Sequence, residues 1–350
     1  MSSGFDGTIY SRLFTVESKI NSLDIAKDNN VFAYAVENPA HIIIGSLDSL
    51  ENKCVIFPSR KIEDTVTSET QDNNKLVATS ISFSKNGKFL AARMLGGEVK
   101  IWDASTCEAH QQINLDLKNV FTKESYDEFV AYKVIFIQND KLLLVDQKAG
   151  HTHIRIFDFT TGKIIKEKVY ELLISDGDKF IVNNRGDLLA IFFDRKGTYV
   201  VELDTFNTLY TVVGSYPSFS PDNRFLAINK PSSSSLLVGK IALLDTYSGK
   251  EIKTISDGKS NFRDISFNPN GKVLAINARD KKSYRIDFWD TEKNELITSI
   301  KNENYELTNS VDFSSNGERM IVRGNYLNNK ALLGIYSATP LPKINQEDVD

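Results

Sequence analysis

The chain has 350 residues, 25 % charged and 41 % apolar, with a formal net charge of −4. These values are ordinary for a globular protein, and the slight acidic excess gives no sign of a polyanion partner. No stretch approaches 18 consecutive apolar residues, and the start, MSSGFDGTIYSRLF, lacks a basic segment followed by an apolar one. The expectation is therefore a cytoplasmic protein, with the nucleus as the other compartment.

Residues 8–16 alternate apolar and polar side chains and are expected to form a strand ahead of the first complete repeat. The repeats are clearest at residues 81–103, ISFSKNGKFLAARMLGGEVKIWD, which read as strand, turn, strand, Gly-Gly break and strand. Asn86-Gly87 between apolar runs favours a tight antiparallel turn, because both residues tolerate positive φ. The pattern F-x-x-x-G recurs at Phe267–Gly271 and Phe313–Gly317, with looser forms at Ile25–Asn29, Phe136–Asp140, Val182–Gly186 and Phe219–Asn223. A second landmark, an apolar pair followed by a turn former, falls at Asp48, Asp103, Asp158, Asp204, Asp245, Asp290 and Ser337. Both registers give seven units. One unit cannot bury both of its faces, so the copies must stack.

In chain order, blade 1 is expected over residues 22–57, followed by a polar loop at 60–75. The 115–133 connection, with aromatic residues and a Thr-x-x-x-Tyr-Asp-Glu pattern, reads equally as a structured insertion or a long loop. Blades 3 to 7 follow at 132–168, 178–213, 217–255, 265–300 and 311–336, with a flexible Pro-Ser-Ser-Ser-Ser loop at 231–235 and a flexible tail at 341–350. Pro340 and Pro342 disfavour a fourth strand at the end of the last repeat, so the amino-terminal strand is expected to complete that blade and close the ring.

Trp102-Asp103 in KIWDAST and Trp289-Asp290 in DFWDTEK carry a resemblance to the WD-repeat β-propellers, with IFDFTTG at 156–162 and LLDTYSG at 243–249 as relatives. The resemblance implies an all-β, seven-bladed β-propeller of four-stranded antiparallel blades, in a single domain over residues 1–340. It departs from the family in lacking the Gly-His pair ahead of each blade; Gly150-His151 falls only seven residues before Asp158. The family's hydrogen-bond network is thus incomplete, and packing must rest mainly on apolar strands.

The chemistry-bearing residues are sparse. His41, His110, His151 and His153 are the histidines, and His151 with His153, at i and i+2, offers at most two metal ligands. No G-x-S-x-G, Walker-type, H-E-x-x-H or C-x-x-C motif is present, and Gly96-Gly97 precedes no helix that would hold a phosphate. Cys54 and Cys107 lie in different repeats without motif spacing; free thiols in a reducing compartment are the plain reading and one disulfide the minority one. The Phe/Leu-Arg-Arg-Gly signature of phosphoinositide-binding propellers is absent, since Val322-Arg323-Gly324 and Asn184-Arg185-Gly186 lack the paired arginines. No cofactor, metal or membrane partner is expected.

The resemblance implies that turns between second and third strands share a face with the connections between blades. Residues 35–42, 92–99, 146–153, 193–199, 229–239, 278–285 and 323–331 carry eleven Lys and Arg against five Asp and Glu, but the connections carry an equal acidic excess. The face is mixed and gives no footprint for nucleic acid. The function expected is a non-catalytic scaffold binding protein or peptide partners, as a monomer or a subunit of a hetero-complex. Arg93, Arg195, Lys230, Arg279, Tyr284, Arg323 and Tyr326 are the expected anchors, because Arg and Tyr are enriched at interface centres. Two other readings are a propeller enzyme or small-ligand or metal binder using the central channel, and a nucleic-acid- or chromatin-associated propeller using a basic patch of blades 6 and 7.

Overall fold

A computed structural model of the protein describes residues 9–17, 20–26, 30–58, 77–95, 97–114, 133–148, 150–174, 178–193, 196–232, 235–255, 260–279, 284–302, 305–326 and 331–339. The expected loop at 60–75, almost all of the 115–133 connection, and the 341–350 tail lie outside the described residues.

Strand β1 (Ile9–Glu17) stands first in the chain and last in the ring. Blade 1 is β2 (Ile20–Ala26), β3 (Val31–Val36), β4 (His41–Ser46) and β5 (Asn52–Ile56). Blade 2 is β6 (Ala78–Phe83), β7 (Phe89–Met94), β8 (Glu98–Asp103) and β9 (Ala109–Asn114). Blade 3 follows as β10 (Lys133–Phe136), β11 (Lys141–Lys148), β12 (His151–Asp158) and β13 (Lys163–Tyr170). Blade 4 comprises β14 (Lys179–Val182), β15 (Leu188–Phe193), β16 (Gly197–Glu202) and β17 (Thr208–Val212). Blade 5 comprises β18 (Ser215–Phe219), β19 (Phe225–Ser232), β20 (Ser235–Asp245) and β21 (Glu251–Ile255). Blade 6 comprises β22 (Asn261–Phe267), β23 (Val273–Arg279), β24 (Tyr284–Asp290) and β25 (Glu295–Asn302). Blade 7 is β26 (Tyr305–Phe313), β27 (Arg319–Tyr326) and β28 (Ala331–Thr339), with β1 as its outer strand, antiparallel to β28 from Ile9↔Thr339 to Glu17↔Leu332. All seven sheets are four-stranded and antiparallel, and the amino-terminal strand closes the ring.

Seven apolar clusters hold the blades together, one at each boundary among the described residues. Blades 1 and 2 share Ala33, Ile44, Leu90 and Trp102; blades 5 and 6 share Ala227, Leu243, Phe262 and Trp289. Blades 7 and 1 share Ile321, Leu333, Phe32 and Leu47, so the last boundary is packed like the others. The second strands make this stacking work: VFAYAV in β3 and LLAIFF in β15 are buried along their whole length. A strand covered on both faces reads as a continuous apolar run rather than an alternation.

The first strands sit innermost and touch one another across the 1–2, 2–3, 4–5, 5–6 and 6–7 boundaries. Each leaves one edge of N–H groups without a ladder partner, and an unpaired buried donor is costly. Short polar side chains of the preceding blade satisfy several of them. Ile81 N donates to Ser22 Oγ (3.0 Å), Phe83 N to Asp24 Oδ2 (2.6 Å), Phe136 N to Ser82 Oγ (3.1 Å) and Val311 N to Asp264 Oδ2 (3.1 Å).

Two turn devices repeat. After the first strands of blades 2, 4, 5, 6 and 7 a Ser or Asn side chain accepts the N–H five residues on, as in Phe89 N to Ser84 Oγ (2.9 Å), Phe225 N to Ser220 Oγ (2.9 Å) and Val273 N to Asn268 Oδ1 (3.0 Å). Gly87 in the first of these turns has φ +66°, as its Asn-Gly pair predicts. After the third strands, a residue donates its N–H to the carbonyl four positions back and takes positive φ. Leu50 (+61°), Cys107 (+62°), Gly162 (+72°), Phe206 (+57°), Gly249 (+68°) and Asn294 (+62°) occupy this place. In blades 1 and 4 the turn opens at Ser46 and Glu202, two residues before the landmarks Asp48 and Asp204, because β4 and β16 end there.

The expectation of free thiols is corrected. Cys54 and Cys107 form a disulfide with Cα atoms 6.5 Å apart, inside the range such bonds adopt. Their separation of 53 residues is one repeat, which brings β5 of blade 1 beside the last turn of blade 2.

Candidate interaction surface

The turns between second and third strands are shorter than the sequence suggested, and that relocates several expected anchors. Strand β7 runs to Met94, β19 to Ser232 and β27 to Tyr326, so Arg93, Lys230 and Arg323 belong to strands rather than loops. On a strand, successive side chains alternate between faces, and in a stacked propeller both faces of a second strand meet neighbouring blades.

Arg93 accordingly has no exposed surface. Leu90, Ala92 and Met94 face blade 1, and Arg93 on the opposite side reaches blade 3, where its guanidinium bonds Asp146 of β11 and the Gly97 carbonyl. Asp146, also fully buried, accepts a second arginine, with Arg155 Nη1 at 3.0 Å. Arg155 Nε continues to Glu167 Oε1 at 2.9 Å, and His153 Nδ1 meets the same oxygen at 2.8 Å. These bonds, His153 first and Arg155 next, hold the Glu167 carboxyl below the usual carboxylate range. The five side chains form one hydrogen-bonded chain from the buried blade 2–3 boundary to the rim. His153, read from sequence beside His151 as half of a metal site, is part of this chain.

Arg323 is half-buried. Its Nη1 donates to the Asn21 carbonyl at 2.9 Å, tying blade 7 to blade 1. Burial pushes its pKa down, opposed by the charges of Asp264 and Asp312. Lys230 Nζ pairs with Glu251 Oε2 at 2.7 Å inside blade 5, and Glu251 is held below the usual carboxylate range chiefly by that bond and by the Thr254 hydroxyl. Arg195 lies outside the described residues, as does the side chain of Tyr326, which ends β27.

Arg279 and Tyr284 are brought together. They end β23 and open β24 as register partners, and the exposed Arg279 guanidinium stands 5.0 Å from the centroid of the Tyr284 ring. Of the basic patch read across blades 6 and 7, Arg285 bonds Asp287 (2.8 Å) and Arg323 is half-buried, while Lys281, Lys282 and Lys330 lie outside the described residues.

The opposite face, formed by the turns after first and third strands, has its own electrostatics. Its six third-strand turns within the chain carry eleven Asp and Glu against three Lys. Asp103, Asp158 and Asp245 serve as turn caps there, and hydroxyl bonds from Ser105, Thr160 and Ser248 keep them below the usual carboxylate range. Their charge is spent on their own turns. Among the described residues no group of three or more His, Cys, Asp or Glu is placed to hold a metal, and no helix is long and apolar enough to cross a membrane.

Residues 66–103 match the WD domain, G-beta repeat. That segment ends at the third strand of blade 2, on Trp102-Asp103. The fold is a seven-bladed β-propeller with a WD repeat in its second blade. The β-propeller domain of Cps50 (Swd1) from Myceliophteria thermophila superposes with a TM-score of 0.63, covering 95 % of this chain and 100 % of that one at 10 % identity. Identity that low carries the fold alone. No curated protein matches the sequence.

Proposed function

We propose that this propeller is a non-catalytic scaffold that binds a protein or peptide partner through the face bearing the turns between second and third strands, with Arg279 and Tyr284 of blade 6 as its anchor. WD-repeat propellers typically serve as interaction scaffolds, and a rigid ring of seven blades presents several surfaces at once. The observation that carries the placement is the stacked pair: an exposed arginine ordered over an aromatic ring is already fixed for binding, so less side-chain entropy is lost on docking. Arg93 and Arg323 hold blades together, while Lys230 lies in an internal ion pair. The proposed location is the cytoplasm or nucleus.

The test is affinity capture of the tagged full chain from its native cell extract, with Arg279→Ala/Tyr284→Ala alongside. A stoichiometric protein that stays with the wild type and is lost from the double variant supports the reading. A partner retained equally by both overturns the placement, and capture of the propeller alone overturns the scaffold.

A further inference from the structure

We infer that Cys54 and Cys107 are a reversible thiol–disulfide staple that fastens blade 1 to blade 2 at the rim, so that the firmness of this boundary follows the thiol redox state around the protein. These are the chain's two cysteines, and the fold brings both to one blade boundary. Cys107 sits at the positive-φ turn position, which an L-residue with a β-carbon adopts against its preference. In blades 3, 5 and 6 that place is filled by Gly162, Gly249 and Asn294, which tolerate it. Where blades 1 and 4 use a bulky residue, its side chain plugs the boundary with the preceding blade. Leu50 packs on the cluster shared by blades 7 and 1, and Phe206 is buried in the cluster shared by blades 3 and 4. Cys107 makes the same reach from blade 2 to blade 1 and ends in a covalent bond to Cys54. Both cysteines also pack on the apolar cluster of that boundary, so the reduced pair still fills the site and the ring keeps its shape.

The chemistry needs a small disulfide as oxidant. One cysteine thiolate attacks its S–S bond, forming a mixed disulfide and releasing one small thiol. The second cysteine thiolate then attacks the protein-bound sulfur, closing Cys54–Cys107 and releasing the second thiol. Two protein thiols and one small disulfide become one protein disulfide and two small thiols. An excess of reduced thiol runs the sequence backwards.

The experiment uses the full chain, incubated with dithiothreitol or with glutathione disulfide, then alkylated, weighed intact and melted. Reduced protein is expected to take an adduct on each cysteine. Oxidised protein should take none, be lighter by two hydrogens than the reduced unlabelled chain, and melt roughly 5 °C higher, as closing a loop of this length implies. Cys54→Ser and, as the variant that keeps an apolar side chain, Cys54→Val should fold and melt at the same temperature in both buffers. Thiols that stay open to alkylation after glutathione disulfide, a mixed glutathione adduct that persists, or a wild-type melting temperature indifferent to reductant would each overturn the proposal.

Discussion

The boundary between blades 2 and 3 and the boundary between blades 1 and 2 bury the same kind of apolar strip and differ in what is added to it. At 2–3 the addition is charge: Arg93 and Arg155 converge on a carboxylate with no exposed surface, Asp146, and the chain runs outward to Glu167 and His153. Both boundaries carry polar acceptors at the channel, Ser82 at 2–3 and Ser22 and Asp24 at 1–2; the addition particular to 1–2 is a disulfide at the rim. A buried charged tie is stabilising only while every member is present, because any remaining ion has lost its water and gained nothing in return. A covalent tie over an apolar contact fails gently, since removing it leaves ordinary packing.

The sharpest way to break that contrast is Asp146→Ala. It takes the carboxylate from the fully buried Arg93 and leaves Arg155 with Glu167 alone, and the expected cost is about 3–5 kcal/mol. Equilibrium urea unfolding read by tryptophan fluorescence measures it; a loss no larger than that of Cys54→Val in reducing buffer would erase the distinction. A smaller effect is expected from Asp24→Ala, which leaves the Phe83 N–H on the inner edge without its acceptor. The loss of such a bond at a partly buried site costs about 1–3 kcal/mol. Amide exchange gives the local reading, with faster exchange confined to Phe83 and its neighbours in β6. Unchanged protection there would mean that water replaces the carboxylate.

The fold was legible because seven copies of two turn signals fixed the period, and the period fixed stacking into a ring. Ring closure by the first strand followed from counting strands in the last repeat. The candidate surface was less legible, and for a definite reason. The stretches read as turns between second and third strands, 92–99 and 323–331, take in Arg93 and Arg323. In the structure both continue a strand, and the face a strand residue occupies depends on register rather than on its polarity. A signal was present for Arg93: the strict alternation of Leu90, Ala92 and Met94 leaves it on the side facing blade 3, where Asp146 occupies the matching strand. The cysteine pair was visible in the same way, since two cysteines one period apart fall on neighbouring blades. The acceptors Ser22, Asp24 and Ser82 were hidden, because short polar side chains near the start of a strand also suit solvent.

Glu167 sharpens the comparison from the outer end of the hydrogen-bonded chain. Its carboxyl is held below the usual carboxylate range by His153 and Arg155, so its contribution to stability is fully present above the unfolded-state value, about 4.3. That contribution is lost as the pH falls through the lower folded value, where the native carboxylate takes up its proton. Its side chain is 41 % exposed, and water and salt screen the pair, so the effect at neutral pH is under about 1 kcal/mol. Glu167→Gln should therefore unfold slightly more easily than the wild type at pH 7 and match it near pH 3, the other carboxylates cancelling in the difference. A gap that stays constant across this range would show that Glu167 acts through packing against β12, and that the ionic part of the boundary stops at Arg155.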